Sequence, residues 1–456
     1  MEAKTVISAL KSVLSDRVSL SDADRANHGG SETWFAPAPP DIVVYPETTE
    51  EVSQIVVICA AHNMPVIGYG AGTSLEGHTS AIHGGVCVDF SRMNKVLQVN
   101  DQDLSVCVQP GITREDLNED LRATGLMFPV DPGANASIGG MASTRASGTT
   151  AVRYGTMRDN ILAMEVVLAD GRVIQTGTAA RKSASGYDLT ALFCGAEGTL
   201  GLITELTLRL HGQPEAVAAA VCSFSDMDAA VNAVITTVQC AIPMARIEFL
   251  DSLAVEAVNK DADLGLPIQP HLLVEFHGSD QSVTEQAERF GDVIADFGAG
   301  GFDWSSKSED RKRLWAMRHR AYYACLGLRP GKTAVVTDIC VPVSRLAEAV
   351  RFARELIDAA GLVAPILGHV GDGNFHAILL IDPKDETELA RAKSVSHQMV
   401  EHALSVGGTA TGEHGIGMGK MDLLHQEHGA AVDVMQSMKL ALDPKNIMNP
   451  GKMFLT

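Results

Sequence analysis

The chain has 456 residues, of which 46% are hydrophobic and 20% charged, so it is long enough to bury the cores of two or more globular domains. Its formal net charge of −20 argues against a nucleic-acid-binding protein, because such a surface needs clustered lysine and arginine. No apolar run is long enough to span a bilayer, and the first residues lack the apolar core and cleavage site of a signal peptide. The eight cysteines include no C-x-x-C pair and no zinc-finger spacing, so we expect buried free thiols in a soluble protein of the cytoplasm.

Helical patterns open the chain. Apolar residues recur at helical spacing in MEAKTVISALKSVLSD, which predicts a short amphipathic helix. Thr48 and Glu51 have the spacing of a capping box and predict the start of a second helix, which ends near Asn63. The apolar side of this helix consists of Val52, Ile55, Val56 and Cys59.

The stretch PVIGYGAGTSLEGHT, residues 65–79, runs from a strand-like start into a glycine-rich loop. It does not fit the dinucleotide fingerprint, because the third glycine of G-x-G-x-x-G is missing whether the count starts at Gly68 or Gly70. No G-K-[ST] follows, and the next run, HGGVCVDF, is strand-like rather than helical. A phosphate would therefore lie in a loop between strands, bound by consecutive backbone N–H groups. A tight turn without any ligand is the alternative interpretation.

The rest of the first half contains a helix, a long loop and a hairpin. The helix is predicted from Thr113, with Asp116 three residues on, to Gly125. The run EVVLADGRVIQTG predicts a hairpin with Asp170-Gly171 as a two-residue type I′ turn. Between them, residues 131–155 contain few large apolar residues and have no period of 2 or 3.6, which predicts a functional loop.

The second half alternates between strand and helix patterns. Composition changes at residues 211–220, and we place a domain junction there. Strands are predicted for AVAAAVCSF, RIEFL, HLLVEFHG and AVVTDICVPV. Helices are predicted for DMDAAVNAVITTVQ, VTEQAERFGDVIADF, EDRKRLWAMRHRAYYACL and SRLAEAVRFARELIDAA. This alternation predicts an α+β domain with one sheet packed under helices.

Two histidines of this half flank a glycine-rich turn in ILGHVGDGNFHAILL. His369 and His376 would point to opposite faces of one continuous strand, so the Gly-Asp-Gly between them is predicted to turn and to bring both imidazoles to one side. Two histidines and a carboxylate bind zinc or a related divalent ion, and Glu413 and His414 in TATGEHGIGMG offer further ligands. Two separate structural histidines are the alternative. A metal-dependent hydrolase is also open, although the H-E-x-x-H signature is absent and hydrolysis explains neither glycine-rich loop.

A single arginine lies on a mostly apolar helix face. Trp315, Arg318, Tyr322 and Leu326 fall on one side of the predicted helix EDRKRLWAMRHRAYYACL. An arginine there suits a bidentate interaction with a substrate carboxylate. A structural ion pair or a snorkelling side chain is the alternative.

Taken together, these motifs resemble those of the flavin-linked D-2-hydroxy-acid dehydrogenases of the vanillyl-alcohol-oxidase type. The branch most similar to this chain comprises D-lactate dehydrogenases that donate electrons to cytochromes or quinones. GYGAGTSLEGHT resembles the FAD pyrophosphate loop of the family and DPGANASIGGMASTRASGTTAVRYG its second flavin-binding segment. CGAEGTLGLITELTLRL resembles the strand that closes the FAD domain, and GHVGDGNFH, GEHGIG and NPGKM resemble the C-terminal half.

The resemblance implies an α+β fold with three parts. These are an N-terminal helical segment at 1–37, a PCMH-type FAD-binding domain at 38–213 and a C-terminal substrate and metal (cap) domain with an antiparallel sheet at 214–456. Non-covalent FAD is implied, because Thr73 stands where family members with covalent flavin carry a histidine. The implied FAD contacts are Gly70, Ala71, Gly72, Thr73, Ser74, Pro110, Asp131, Ile138, Gly139, Ser143, Thr144, Gly148, Gly155, Ile203 and Asn449.

The resemblance also implies roles in chemistry. His369, His376 and Glu413 would hold zinc or manganese, Arg318 would bind the substrate carboxylate, and His414 would accept the hydroxyl proton while hydride passes to the flavin. The D-2-hydroxyglutarate branch carries a lysine and an asparagine where this chain has Val336 and Ile378, so a second substrate carboxylate would lack a polar partner.

D-lactate is therefore the favoured substrate, ahead of other small D-2-hydroxy acids, glycolate and D-2-hydroxyglutarate. The electron acceptor stays open among a quinone, a cytochrome and an electron-transfer flavoprotein. A homodimer and a peripheral position at a membrane also stay open, with no transmembrane segment and no nucleic-acid partner expected.

Overall fold

The computed structural model of the protein describes residues 2–31, 33–262 and 264–454. Within this range the chain forms two compact units. The first unit consists of the residues up to Ser147, Gly155–Gln213 and the segment from Glu413 onward. The second consists of Gly148–Tyr154 and Pro214–Gly412. Each unit has its own sheets and its own hydrophobic core.

The first unit contains two main sheets. The four-stranded sheet has the order Val18–Ser19, Ile42–Val44, Val86–Asp89 and Val66–Tyr69, and its last three strands run parallel. The antiparallel five-stranded sheet has the order Val96–Asn100, Ser105–Val108, Leu202–Arg209, Ile161–Val167 and Val173–Gln175. A separate short pair joins Leu126–Met127 to His211–Gly212.

Helices of the first unit cover these sheets. The α-helices are Glu2–Leu14, Asp22–Asn27, Thr49–Ala61, Arg114–Leu121, Ile138–Thr144, Met157–Asn160, Leu189–Phe193, Met421–His428 and Ala431–Leu442, and the 3₁₀ turns are Phe90–Arg92 and Arg122–Thr124. The helix predicted from the capping box is present. The Thr48 side chain accepts a hydrogen bond from Glu51 N, and the four predicted apolar residues are buried against the sheet core. Thr113 caps the next helix in the same way.

The hairpin near residue 170 is present, but its predicted turn is wrong. Leu168 N donates to Arg172 O and Gly171 N donates to Leu168 O, so three residues lie in the loop rather than two. Gly171 alone has a positive φ, of +84°, whereas a type I′ turn needs two such residues. A three-residue loop that ends in a left-handed glycine satisfies the strand twist equally well.

The loop predicted for residues 131–155 contains two helical segments instead. Ile138–Thr144 forms a two-turn helix, and Ala151–Tyr154 forms a single turn. The first of these helices is built mostly of small residues and lies close to its neighbours. Gly139 N donates to Pro110 O at 2.8 Å, and a Cβ at Gly139 would lie 2.5 Å from the Pro110 side chain. This helix is stabilised by close packing of small residues and lacks the periodic large apolar residues from which a helix is normally predicted.

The second unit is a wide antiparallel sheet with helices packed on it. The strand order is Gly300–Ser305, Ala216–Ser223, His271–Gly278, Met244–Leu250, Ile366–Gly368, Asn374–Ile381 and Thr333–Val336, and Ile339–Cys340 also pairs with Asn374–Ile381. The α-helices are Ala151–Tyr154, Met227–Gln239, Ser252–Ala262, Asp280–Asp296, Ser308–Leu326, Leu346–Ala359 and Glu386–Ser405, and the 3₁₀ turns are Val343–Arg345 and Val370–Asp372. The four predicted helices and three of the predicted strands of this half are therefore present, the fourth run, AVVTDICVPV, forms two short strands instead of one, and the α+β class with an antiparallel sheet is confirmed.

The C-terminal segment belongs to the first unit, which differs from the division predicted at 214–456. Two backbone hydrogen bonds pair this segment with strand Val66–Tyr69, from Val66 N to Ile447 O and from Asn449 N to Val66 O, each at 2.8 Å. The buried Lys439 ammonium donates to Thr199 O at 2.8 Å and Met448 O at 2.9 Å.

Among the described residues, no helix combines the length and the hydropathy that crossing a bilayer requires.

Candidate active site

The glycine-rich loop follows strand Val66–Tyr69 directly and contains no helix. The next strand, Val86–Asp89, lies parallel beside Val66–Tyr69. Gly72 adopts φ +69°, and a Cβ there would collide with the Tyr69 hydroxyl. Another residue would be strained at this φ, and the loop connects two strands, as the sequence predicted.

Three of the predicted flavin-binding segments converge in the first unit. A Cβ on Gly70 would overlap the Ser137 hydroxyl, and Gly139 in the following helix lies against Pro110. The loop after the second parallel strand, the Pro110 turn and the start of helix Ile138–Thr144 thus approach each other at backbone distance. Glycine at the two contact points lets the segments approach this closely, and the Gly139 N–H donates to Pro110 O.

Buried hydroxyl groups of the same region fit a polar ligand. Ser74 Oγ, Thr79 Oγ1 and Ser137 Oγ are buried without a hydrogen-bond partner among the residues that the structure describes. An unsatisfied buried polar group costs about 1–3 kcal/mol, so three of them in one region would be unfavourable in a finished core. A diphosphate and its sugars would supply hydrogen-bond partners for these hydroxyl groups, so the residues present fit FAD.

Other predicted FAD contacts occupy varied positions. The Ser143 and Thr144 hydroxyls donate within their own helix, to Gly139 O and Gly140 O. Asp131 is buried and accepts from Gly133 N at 3.3 Å. The remaining predicted residues have different environments: Ala71 and Thr73 are exposed, Ile203 is buried in strand Leu202–Arg209, Gly155 has φ +76° in the first unit, and Gly148 has φ +120° in the second.

Asn449 is held in a buried network that sequence reasoning missed. Its side-chain amide donates to His78 O at 3.1 Å and to Glu197 O at 2.8 Å. Glu197 also accepts from the backbone N–H groups of Ile416 and Gly417, at 2.7 and 2.8 Å. Burial alone would raise the pKa of Glu197, but the adjacent His78 and these N–H donors lower it, so the carboxylate stays ionised. The buried Asn449 Oδ1 has no hydrogen-bond partner among the described residues, and its predicted place at the cofactor edge stays a prediction.

In the second unit, the turn predicted between the two histidines is present. His369 precedes the 3₁₀ turn Val370–Asp372, Gly373 has φ +79°, and His376 lies on strand Asn374–Ile381. The two imidazole rings lie 5.5 Å apart between centroids, almost perpendicular to one another. The glycine-rich turn therefore brings both rings to one side.

Glu248 connects His369 to Arg318 and was not predicted from sequence. This fully buried carboxylate accepts from His369 Nδ1 at 2.7 Å through Oε1, and its Oε2 lies 2.6 Å from Arg318 Nη2. Burial would raise the pKa of Glu248, but the charge of Arg318 and the hydrogen bonds from His369 and Arg318 lower it. Because an ionised carboxylate only accepts, His369 carries its proton on Nδ1 and presents Nε2 as its acceptor nitrogen. Arg318 thus forms the buried ion pair that was the alternative interpretation of this residue.

His376 is oriented in an equivalent way. Its Nδ1 lies 3.0 Å from Thr337 O, a carbonyl that can only accept, so Nε2 is again the acceptor nitrogen. Asp338 Oδ1 lies 3.7 Å from the same ring and accepts from the Asn374 amide at 2.8 Å. Two neutral imidazoles of fixed tautomer are the donor set that a divalent metal ion selects, so the residues present fit zinc or manganese.

The chain that leads to Glu413 and His414 is anchored beside these residues. Thr411 Oγ1 donates to Asp338 Oδ2 at 2.5 Å, and a Cβ at Gly412 would overlap the Asn374 amide. Glu413 and His414 follow immediately and open the last segment of the first unit. Their roles as metal ligand and base stay predictions.

An apolar pair lies beside His376, with one residue on the same strand and one on the neighbouring strand. Ile378 is two residues beyond His376 and therefore points to the same face of the sheet. It pairs directly with Val336 of the neighbouring strand. Both residues belong to the hydrophobic cluster around Trp315.

Comparisons with known proteins identify the family and the fold of the chain. Residues 213–453 match the family model described as FAD linked oxidases, C-terminal domain, and residues 40–177 match the FAD binding domain. The chain is 48% identical to the probable mitochondrial D-lactate dehydrogenase of Danio rerio, over 98% of this chain and 91% of that protein. It is 44% identical to the mitochondrial D-lactate dehydrogenase [cytochrome] of Arabidopsis thaliana, over 99% of this chain and 80% of that protein. The structure of p-cresol methylhydroxylase superposes with a TM-score of 0.80 at 18% identity, covering 99% of this chain and 96% of the other, which confirms the PCMH-type fold.

The names of both relatives contradict the predicted cytoplasmic location, because both proteins are described as mitochondrial. All eight cysteines are free thiols, as expected. Free thiols argue against an oxidising compartment but do not choose between reducing ones, which is why cysteine usage gave the wrong location.

Proposed function

The chain belongs to the family of FAD-linked oxidases, and on that basis we propose that it oxidises D-lactate to the 2-oxo acid and passes the electrons to an external acceptor. The FAD-binding domain supports a flavoprotein and removes the support for a metal-dependent hydrolase. The Arabidopsis relative is named for a cytochrome acceptor, which favours a cytochrome over a quinone or an electron-transfer flavoprotein. A mitochondrial location goes with this proposal.

The observation that carries the choice of substrate is the apolar pair beside His376. Ile378 and Val336 pair across neighbouring strands. They stand where the similar D-2-hydroxyglutarate branch carries polar residues. A second carboxylate next to these side chains would be buried without a hydrogen-bond partner. Its burial would cost on the order of several kcal/mol, comparable to the loss of a hydrogen bond to a charged group. A methyl group would instead gain about 0.8 kcal/mol from burial. The pair therefore favours a small monocarboxylate such as D-lactate.

The residues of the second unit have distinct tasks in this proposal. His369, His376 and Glu413 would hold a divalent metal, zinc or manganese, and such an ion would supply positive charge near the substrate. Glu248 and the Thr337 carbonyl hold the two imidazoles in the tautomer that presents Nε2. Arg318 binds the substrate carboxylate with the part of its guanidinium that does not face Glu248.

His414 acts as the general base in the same proposal. It accepts the proton of the substrate C2 hydroxyl, while bound FAD supplies the hydride acceptor. The His414→Ala variant is expected to purify with its flavin bound and to lose reduction by D-lactate by at least about 100-fold. Unchanged reduction kinetics in this variant would remove His414 from the reaction.

Anaerobic bleaching of the purified holoenzyme tests the function. We expect D-lactate to bleach the visible flavin absorbance, and L-lactate and D-2-hydroxyglutarate to leave it. Chelator treatment should abolish bleaching while the protein stays yellow. If no D-2-hydroxy acid bleaches the flavin, the proposed reaction is wrong; if only glycolate or D-2-hydroxyglutarate does, the reaction stands and the choice of substrate is wrong.

A pair of variants tests the role of the apolar pair. Val336→Lys combined with Ile378→Asn should shift the preference from D-lactate towards D-2-hydroxyglutarate. Ile378→Leu keeps the apolar character and serves as the matched control. Equal preferences in all three proteins would show that this pair does not select the substrate.

A further inference from the structure

Residues 148–154 form a short excursion of the chain into the second unit. The residues on either side, up to Ser147 and from Gly155, belong to the first unit. Both ends of the excursion have glycine in a conformation that other residues rarely adopt, with φ +120° at Gly148 and +76° at Gly155. We call residues 148–154 the strap.

A chain of three buried or half-buried side chains anchors the strap. The Tyr154 hydroxyl lies 2.6 Å from His277 Nδ1, and His277 Nε2 lies 2.8 Å from Glu275 Oε1. Burial would raise the pKa of Glu275, but its contacts with His277 and Arg246 lower it, so Glu275 is an ionised acceptor. His277 therefore donates through Nε2 and accepts the Tyr154 hydroxyl proton through Nδ1.

The anchor is connected to the helix that carries Arg318. Glu275 Oε2 also accepts from the Trp315 indole at 2.5 Å, and the Arg246 guanidinium lies over the Trp315 ring at 4.5 Å. Trp315 and Arg318 are three residues apart on helix Ser308–Leu326 and so lie on one face. The strap is thus tied to the same helix that supports Glu248.

The strap also lies directly against the turn between the two histidines. A Cβ at Gly371 would lie 2.7 Å from Val152 Cγ2 and 2.6 Å from Ile247 Cγ2. Gly371 is the buried middle residue of the 3₁₀ turn Val370–Asp372, which lies between His369 and His376. Val152 therefore forms one wall of the space in which this turn is held.

We propose that the strap is the positioning element of the two-histidine turn. Tyr154, fixed by His277 and Glu275, holds Val152 against Gly371, and this contact sets the spacing of the His369 and His376 nitrogen atoms. The inference rests on the proposed metal-dependent function. Tyr154 and Val152 are positioning residues in this view, because they act through His277 and Gly371.

Metal titration of the flavin-loaded, chelator-treated protein tests the strap. Tyr154→Phe removes only the hydroxyl that bonds to His277, and Val152→Ala removes only the wall beside Gly371. Changes along a packed network modulate a site several-fold, so we expect Mn²⁺ to bind each variant about 3- to 10-fold more weakly than the native protein. At subsaturating Mn²⁺ the apparent KM for D-lactate should rise, with kcat restored by excess metal and the flavin absorbance unchanged. Tyr323→Phe, on an exposed part of helix Ser308–Leu326, is the matched control and should bind Mn²⁺ like the native protein.

The outcomes separate this inference from the proposed function. If the native protein binds neither Mn²⁺ nor Zn²⁺, the metal site is wrong and the strap has no site to position. If the native protein binds metal and both strap variants bind it equally well, the strap inference alone is overturned. Val152→Ala keeps the anchor intact, so the comparison holds even where Tyr154→Phe lowers the stability of the fold.

Discussion

Replacement of Glu248 by glutamine should destabilise the protein, because it leaves the buried Arg318 guanidinium without a counter-charge. The native carboxylate is fully buried and accepts from His369 Nδ1 at 2.7 Å and from Arg318 Nε at 2.8 Å. Glutamine keeps the volume but has one acceptor oxygen and one amide N–H₂ group in place of two acceptors. One donor, on His369 or on Arg318, therefore faces another donor, and the buried guanidinium loses its counter-charge.

The expected loss follows from this geometry. Removal of one partner of a buried ion pair costs about 3–5 kcal/mol, and the retained acceptor oxygen places Glu248→Gln near the lower end, at about 3 kcal/mol. The matched control is Glu348→Gln, since Glu348 lies 2.7 Å from Arg345 in a pair whose side chains are both 45% exposed. That surface pair should contribute at most about 1 kcal/mol.

Urea unfolding followed by far-ultraviolet circular dichroism measures both variants. A second change, Arg318→Met in the Glu248→Gln protein, should recover part of the lost stability, because it removes the uncompensated charge. The reasoning would be refuted by a Glu248→Gln protein with the same unfolding midpoint as Glu348→Gln. It would equally fail if Arg318→Met made the Glu248→Gln protein still less stable.

Three further predictions concern stability, cofactor binding and thiol reactivity. Burial raises the pKa of Asp251 to about 6, above the value of about 3.9 in an unfolded chain, so its stabilising contribution is complete below about pH 4 and is lost as the pH rises through 6. Asp251→Asn keeps the acceptor for Ala254 N. Between pH 4.5 and 7.5, the melting temperature of this variant should rise relative to that of the native protein, by an amount corresponding to at most roughly 3 kcal/mol. A constant difference in melting temperature across that range would contradict the raised pKa of Asp251. Gly139→Ala places a Cβ 2.5 Å from Pro110 and should lower the flavin content of the purified protein, whereas Gly30→Ala, with open space around it, should not; equal flavin-to-protein ratios would count against the convergence of the two segments. A thiol reagent should modify Cys240 first, because it is the exposed cysteine of the described chain, and Cys240→Ser should abolish that fast phase; its persistence would mean that another thiol is accessible.

Local sequence signals predicted the elements whose stability is local. The Thr48 cap and the buried side of helix Thr49–Ala61 follow from residues within one turn of each other, and both are present. The glycine-rich turn between His369 and His376 was predictable for the same reason. By contrast, helix Ile138–Thr144 is stabilised by close contact of Gly139 with Pro110, which has no period in the sequence.

The carboxylates that complete the site could not be found in the same way. Glu248 is 70 residues from Arg318 and 121 residues from His369 along the chain, and nothing in the run RIEFL distinguishes it from a solvent-facing residue of an amphipathic strand. Glu197 similarly receives its backbone donors from residues 219 and 220 positions later. The alternation of apolar and polar residues predicts which face of a strand is apolar. Which charged residue becomes buried depends on the strand order of the sheet and on side chains that are distant in the sequence.

Two buried carboxylates on adjacent strands of the second unit orient histidine side chains. Glu248 on strand Met244–Leu250 and Glu275 on strand His271–Gly278 are both enclosed, and each accepts from one histidine and from one side chain of helix Ser308–Leu326. Apolar residues of the same volume would make such a core equally stable or more stable. What apolar residues could not do is fix the tautomer and the orientation of an imidazole. The two carboxylates thereby connect His369 and the strap to a single helix, so that helix, turn and strap adopt one arrangement together. The free-energy cost of burying the charges is offset because the imidazole nitrogens of the site are aligned before any ligand binds.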